Sequence, residues 1–435
     1  MARGVRQSVS RKPRKAVDAH RSGVRRWLAG AGALALMVAA ALGANAATLR
    51  PAVDGPALAA LVAEARPGDV VEVPPGTWSG PLVVGEGVTL AGRGGVIDGG
   101  GKGRAVTLAG PRAALDGVEV TNSGKETGTM DACVFIERGA TGARVRGTRL
   151  SECGYGIWVS QASGVQIVDN RIFGSTTGSR VERGNGIHLY ATRETLVSGN
   201  LVRNGADGIY IFMSGAVLIR ENRLIDTRYG VHYMYAHDNA LIGNVVTGAL
   251  TGYALMQSRG LTVKQNVATR NSEKGILFRD VQHCDISANL LEDNAEGMFF
   301  YSSTSNTIAG NRLVRNRVGM KIWAGTVDNR ISGDAFVGNA TQVLYSGTSD
   351  LAIAADGRGN YWSDYVGWDQ DGDGVGDRPY RVDSFTTRVI HQYPAAALLL
   401  RSPALELLSH MEEALPIFRT PTVIDRHPAV RPDQT

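Results

Sequence analysis

Cysteine, proline and long apolar runs are all scarce in this chain, and each shortage removes a class of protein. Three cysteines in 435 residues (Cys133, Cys153 and Cys284) cannot build the disulfide framework of a small secreted scaffold. Fifteen prolines beside 55 glycines argue against a collagen-like or proline-rich disordered chain and fit a turn-rich β protein. The longest apolar run, Leu28–Gly43, has 16 residues, short of the roughly 20 that span a bilayer as a helix. Basic residues are missing where a nucleic-acid binder needs them. Residues 1–46 hold nine of the 46 Lys/Arg and one of the 41 Asp/Glu, which leaves the remainder at 37 bases against 40 acids, a net of −3. That near-neutral body has no Lys/Arg-rich run, which argues against nucleic acid as a partner.

What is present begins with an export signal. Residues 1–27 are basic and polar and end in Arg25-Arg26-Trp27; the apolar run follows, and then Ala44-Asn45-Ala46, a small-x-small cleavage site. This pattern reads as a signal peptide over 1–46 rather than a retained anchor, so the mature protein leaves the cytoplasm. The flanks of Arg25-Arg26 match a twin-arginine signal poorly.

The dominant feature is a repeat. Glycine followed by an apolar residue recurs at Gly156, Gly186, Gly208, Gly230, Gly252, Gly275, Gly297 and Gly319, with steps of 30, 22, 22, 22, 23, 22 and 22 residues. An asparagine column keeps the same beat at Asn170, Asn200, Asn222, Asn244, Asn266, Asn289 and Asn311. Two columns in one phase mean a solenoid. Apolar residues alternate around each glycine, so short strands with one buried face form each rung. The expected fold is all-β, a right-handed parallel β-helix over 47–346. The asparagines are expected to stack at a turn. Asp54–Ala65 reads as a short amphipathic helix, with Asp54 as its N-cap, that covers the first rung. The 30-residue step holds eight extra residues around Gly174–Arg180, which must bulge as a loop. Cys133 and Cys153 lie about one rung apart, so a bridge between rungs is open. The plainer reading makes all three cysteines small buried hydrophobes.

Function sits in the columns that point outward. Two residues after each glycine stand Trp158, His188, Tyr210, His232, Ala254, Leu277, Phe299 and Lys321. Four after it stand Ser160, Tyr190, Phe212, Met234, Met256, Arg279, Tyr301 and Trp323. An aromatic, His- and Met-rich outer face reads as a large exposed apolar surface, made to contact a protein or a sugar polymer. His232 and Met234 share one strand face, Met256 lies one rung on, His188 lies two rungs back, and His237 follows in the adjoining turn. Imidazole and thioether donors together suit soft copper, Cu(I) above all; the alternative is that the methionines only pack. A polysaccharide lyase, an epimerase or a sugar-binding β-helix protein is the rival reading. It needs carboxylates, or a base with an arginine, on this face. The outward columns offer only Arg279 and Lys321 as charges, and His237-Asp238 has no outward partner.

The period fades after Asp334. Asp369, Asp371, Asp373, Val375 and Asp377 take the ligand positions of an EF-hand-like loop for Ca2+, although Tyr380 replaces the usual final Glu. The same residues also suit a plain Asp/Gly turn. This region, 347–393, closes the solenoid. In 394–435, Ser402-Pro403 starts a helix whose apolar stripe is Leu405, Leu407, Leu408, Met411 and Leu415. Pro416–Pro432 reads as an extended arm. Helix and arm together are expected to dock on a partner.

Several segments jointly resemble one family. They are Val231–Asp238, Tyr253–Met256, Gly359–Asp364, the Asp369–Asp377 loop, Ser402–Ala404 and Val423–Pro428. The chain resembles the NosD family, periplasmic maturation factors of nitrous oxide reductase, over essentially its whole mature length. The resemblance implies a non-enzymatic accessory protein at the inner membrane. Its partners would be an ABC transporter permease and ATPase, nitrous oxide reductase, and a membrane-anchored copper chaperone. Its task would be assembly of a copper–sulfur centre. The resemblance does not assign metal ligands; His188, His232, Met234, His237 and Met256 are candidates from spacing.

Overall fold

The computed structural model describes residues 46–51, 58–323, 325–347, 349–354, 357–382 and 422–432. The signal peptide, the proposed N-cap Asp54 and the helix expected after Ser402 lie outside them. Three short parallel strands per turn stack into sheets of 13, 12 and 13 strands, a right-handed β-solenoid as expected. Pairing is in register, so each residue sits beside its counterpart one rung on: Ile187 on Ile209, Ile209 on Val231, and Val231 on Tyr253. The column after each glycine fills the core, from Ile157 to Met320, at 0–1% exposure. Sequence alternation thus becomes a continuous apolar interior.

The glycines are required by close approach. A Cβ on Gly208 would stand 2.6 Å from the carbonyl oxygen of Gly230, and the other glycines of the column crowd the next rung in the same way. The asparagines form a ladder. Each Nδ2 donates to the Oδ1 one rung on, as Asn222 does to Asn244 at 2.9 Å, and to a carbonyl behind it, Val197 at 3.0 Å. Each Oδ1 also accepts the backbone N–H of the previous asparagine. A buried turn is thereby satisfied without water. A second ladder, Asn271–Asn294–Asn316–Asn339, runs five residues further along each rung. It was legible at the same period.

Both ends are closed. Leu58–Glu64 is a helix that buries Leu58 and Val62 against the first rungs. At the far end, part of the expected extended arm is instead a strand. Val423–Asp425 pairs with Leu351–Ile353 and with Tyr380–Arg381. Asp425 ends the first ladder: Asn360 donates to its carboxylate through N and Nδ2, and Trp362 through Nε1. The chain leaves the cap at Val382 and returns at Thr422, whose hydroxyl donates to the Val382 carbonyl at 2.7 Å. Residues 383–421, which include the helix expected after Ser402, lie in sequence between these two adjacent points and outside the described residues.

Two further details differ from expectation or sharpen it. Cys133 and Cys153 form a disulfide, with Cα atoms 5.3 Å apart; only Cys284 is a buried free thiol. The eight extra residues do bulge. Arg183 ties that loop through the carbonyls of Thr176 and Gly178, and Arg180 reaches those of Thr227 and Gly248 on later rungs.

Asp334 occupies an asparagine position. Its Oδ1 takes both donors of Asn311, but its Oδ2 is buried with no hydrogen-bond partner. Burial pushes its pKa up to about 7 from 3.8, against the N–H donors of Asn311 and the charge of Arg358, which lower it. The folded state therefore holds this proton more tightly than the unfolded chain, and stability falls as pH rises from about 4 to about 7. Asp334→Asn restores the amide donor and removes that slope. Urea unfolding at pH 8 should show the variant more stable by on the order of a few kcal/mol; an unchanged or lower midpoint contradicts this assignment.

Candidate functional site

The sheet that carries the outward columns is built from strands such as Ile187–Tyr190, Asp207–Phe212, Tyr229–Met234 and Thr251–Met256. In-register pairing places His188 beside Tyr210, Tyr210 beside His232, and Met234 beside Met256. The face is less open than its composition suggests. Trp158, His188 and His232 are only 7–8% exposed. They form a second packed layer outside the backbone. Trp158 stacks on His188 at 3.7 Å, Tyr210 meets His188 edge-on at 4.8 Å, and Tyr210 meets His232 at 4.6 Å. Tyr155 and Tyr229 close over the two imidazoles edge-on. Such pairs hold rings at fixed angles and exclude water. Large apolar residues exposed on this sheet and in the turns after its strands include Met213, Tyr235, Tyr301 and Trp323, at 41–56%, with Val83 and Leu344 exposed at its two ends.

Tyr155 and Tyr229 belong to a column that the outward count from each glycine passes over, the residue before it. It contains Tyr155, Asn185, Asp207, Tyr229, Thr251, Lys274 and Glu296. Arg279 and Lys321 are therefore not the only charges on this face. The period of two is interrupted at the glycine, and the preceding side chain joins the outer layer. Asp207 is 1% exposed and lies at the centre of this layer. Arg228 donates to both its oxygens, Nε to Oδ1 and Nη2 to Oδ2, each at 2.8 Å. His232 Nδ1 lies 2.8 Å from Oδ2. Burial pushes the Asp207 carboxyl up, yet the hydrogen bonds from His232 and Arg228 outweigh it and hold the pKa below the ordinary value. Further along, Glu296 is paired by Lys321 at 2.8 Å and by Lys274 at 3.8 Å, both lysines lying over the Phe299 ring. Both carboxylates are thus paired with cations, Asp207 with Arg228 and Glu296 with the two lysines, and with His232 they supply the charged groups that the outward columns lacked.

The five copper candidates are distributed unevenly. His232, Met234 and Met256 share one patch. His232 Nε2 is buried with no hydrogen-bond partner, and the Met234 sulfur accepts the Tyr210 hydroxyl at 3.6 Å. Met234 and Met256 are half-buried neighbours. Imidazole and thioether donors on one strand face and its in-register neighbour are the donor types that suit a soft ion. His188 lies two rungs away, and Asn185 Nδ2 stands 3.1 Å from its Nδ1. Burial pushes its pKa down to about 3. His237 sits in the turn, where its Nδ1 accepts the Arg259 N–H at 3.3 Å; burial first and then Arg259 lower its pKa.

In the 369–377 loop, Asp369, Asp371 and Asp373 bring oxygens within 4.8 Å of one another. Their carboxylates accept N–H groups of the loop itself, from Gly372 to Val375. Asp377 accepts the Gln370 N–H instead. Val375 lies in an antiparallel bridge with Ala429. The loop's own hydrogen bonds are those of an Asp/Gly turn.

Among the described residues no helix is long and apolar enough to cross a membrane. Residues 174–367 match the family described as periplasmic copper-binding protein (NosD). A relative from Pseudomonas aeruginosa, named a probable ABC transporter binding protein NosD, is 40% identical over 349 residues, covering 77% of this chain and 82% of the relative. Its namesake from Stutzerimonas stutzeri is 37% identical over 375 residues, covering 82% and 86%. Among solved structures, the family 28 exopolygalacturonase of Yersinia enterocolitica aligns with a TM-score of 0.54 at 10% identity, over 70% of this chain and 77% of that one. The GH136 lacto-N-biosidase of Eubacterium ramulus aligns at 0.51 and 12%, over 77% and 73%. At such identities the likeness is one of fold alone. With relatives this close in sequence over most of their length, the chain belongs to the NosD family.

Proposed function

We propose that this protein is a periplasmic copper-handling accessory protein that works with an ABC transporter in building the copper–sulfur centre of nitrous oxide reductase. The observation that carries the proposal is the donor patch His232, Met234 and Met256, with its buried, unpartnered imidazole nitrogen. Copper would be cargo at this face, received from a membrane-anchored copper chaperone and passed to the reductase. The exposed Met213, Tyr235, Tyr301 and Trp323 would be the contact surface for those proteins. The segment after Val382, with the apolar stripe Leu405–Leu415, would dock the solenoid on the permease. The cytoplasmic ATPase would then act on it through that permease. A structural Ca2+ in the Asp369–Asp377 loop belongs to the same proposal.

Replacing Met234 and Met256 together with Leu keeps their bulk and removes both sulfur donors. The purified variant should bind Cu(I) at least tenfold more weakly in competition with a chromogenic chelator, and reductase matured beside it should carry less copper. Unchanged affinity and copper content would mean that these methionines only pack.

Docking is best tested by an internal deletion, because truncation at residue 402 would also remove the capping strand Val423–Asp425. Replacing 384–421 with a short Gly/Ser linker joins points that are already adjacent. The variant should fold, export and fail to co-purify with the permease. Undiminished co-purification rules the docking role out.

A further inference from the structure

We infer that Asp207 sets the two imidazoles of the outer face in opposite tautomers, and that His232 Nε2, the imidazole nitrogen thereby left with a lone pair and no hydrogen-bond partner, is the donor of this face for a soft metal ion. The inference rests on the copper reading above for the kind of ion, but not for the tautomers.

The carboxylate of Asp207 determines the first ring. Both its oxygens accept from Arg228, and Oδ2 also meets His232 Nδ1 at 2.8 Å. A carboxylate held by a guanidinium is acceptor-only, so the proton in the contact belongs to Nδ1. In the neutral ring Nε2 then keeps its lone pair, whereas a second proton there would be a buried N–H with no acceptor. The Nε2 atom is buried among the Tyr210 and Tyr229 rings and has no hydrogen-bond partner. Leaving an acceptor bare in the interior costs free energy unless something else takes the lone pair.

The backbone of the same residue determines the second ring. The Asp207 N–H donates to Asn185 Oδ1 at 3.0 Å. That contact fixes which end of the amide faces which way, so Asn185 must turn Nδ2 toward His188 Nδ1 at 3.1 Å and donate to it. His188 Nδ1 is therefore an acceptor, and the ring proton sits on Nε2. In this state neither nitrogen offers a lone pair to a metal. His237 is likewise engaged, through the Arg259 N–H on its Nδ1.

Of these three, His232 alone has the arrangement that suits a metal-binding imidazole, with Nδ1–H on a carboxylate and Nε2 without a partner. It is two residues from Met234 on the same strand face, and Met256 is Met234's neighbour in register. The site is one nitrogen and two thioethers. Asp207 is its positioning residue, and Arg228 keeps that carboxylate charged.

The test uses the whole exported chain with 15N-labelled histidine, and silver(I) as a diamagnetic stand-in for Cu(I). His188→Gln and His232→Gln assign the two rings in a long-range 1H–15N spectrum. Without metal, His232 should appear as the Nδ1–H tautomer and His188 as the Nε2–H tautomer. Silver should move the His232 Nε2 signal and leave His188 in place. Asp207→Asn should abolish the His232 tautomer preference and weaken silver binding about 10- to 100-fold. Asn185→Leu should release His188 from its tautomer and leave His232 unchanged. A His232 Nε2–H tautomer in the metal-free protein overturns the inference. So does silver that moves His188, or silver that binds and moves neither ring. The metal-free spectrum of the unaltered protein decides the tautomers even where Asp207→Asn fails to fold. If silver does not bind at all, the copper reading and the donor role of His232 both fail, and only the tautomer assignment stands.

Discussion

In-register parallel pairing is the constraint on which everything else in this molecule depends. Once each rung lies directly over the last, like residues must share columns, and a column is allowed only if its members tolerate stacking. Asparagine does, because its amide is both donor and acceptor and so links to the next amide indefinitely. Glycine does where the next rung's carbonyl comes too close for a Cβ. Apolar side chains do because they fill a common core. Each ladder bond contributes only about 1 kcal/mol, but leaving one member unpaired in the interior would cost more than that.

The same constraint shapes the outer face. Aromatic side chains in successive rungs have no choice but to meet, and they do so at 4.6–4.8 Å around the two imidazoles. The result is a dry layer outside the backbone, in which one carboxylate can fix the state of its neighbours. Asp207 can reach forward to His232 because the strand alternation is broken at Gly208. Structure and chemistry meet at that irregularity. The residue before the glycine is freed from the core, and it supplies the face with Tyr155, Asp207, Tyr229 and Glu296. Comparable solenoids carry sugar enzymes, so the fold itself does not choose a function. On this face the Asp207 and Glu296 carboxylates are paired with cations, and an imidazole nitrogen lacks a hydrogen-bond partner on the strand that also carries Met234.

The fold was legible in the sequence because its signals are periodic. Gly156 to Gly319 and Asn170 to Asn311 give the rung length directly, and the alternation around each glycine gives the buried face. The site was legible only in part. His232, Met234 and Met256 fall in the right columns, but parity counted outward from the glycine overlooks the residue before it, and so Asp207 was missed. The exposure of the face was overestimated for the same reason, since the covering side chains of Tyr155 and Tyr229 come from that column. The closing strand is a contact over 65 residues, from Asn360 to Asp425, and no local pattern announces it. The Cys133–Cys153 bridge depends on a 5.3 Å Cα approach that spacing leaves undecided. Asp334 was in phase throughout, as an acid in an asparagine column; its consequence is clear only once its second oxygen is seen buried.

The central claim is that this face holds a soft metal ion through one imidazole and two thioethers. Copper K-edge X-ray absorption of the purified protein loaded with Cu(I) tests it most directly. The account predicts a first shell of one nitrogen and two sulfur scatterers, with the sulfur component lost when Met234 and Met256 are both replaced by Leu. A shell without sulfur, or one with two or more imidazoles, would contradict it.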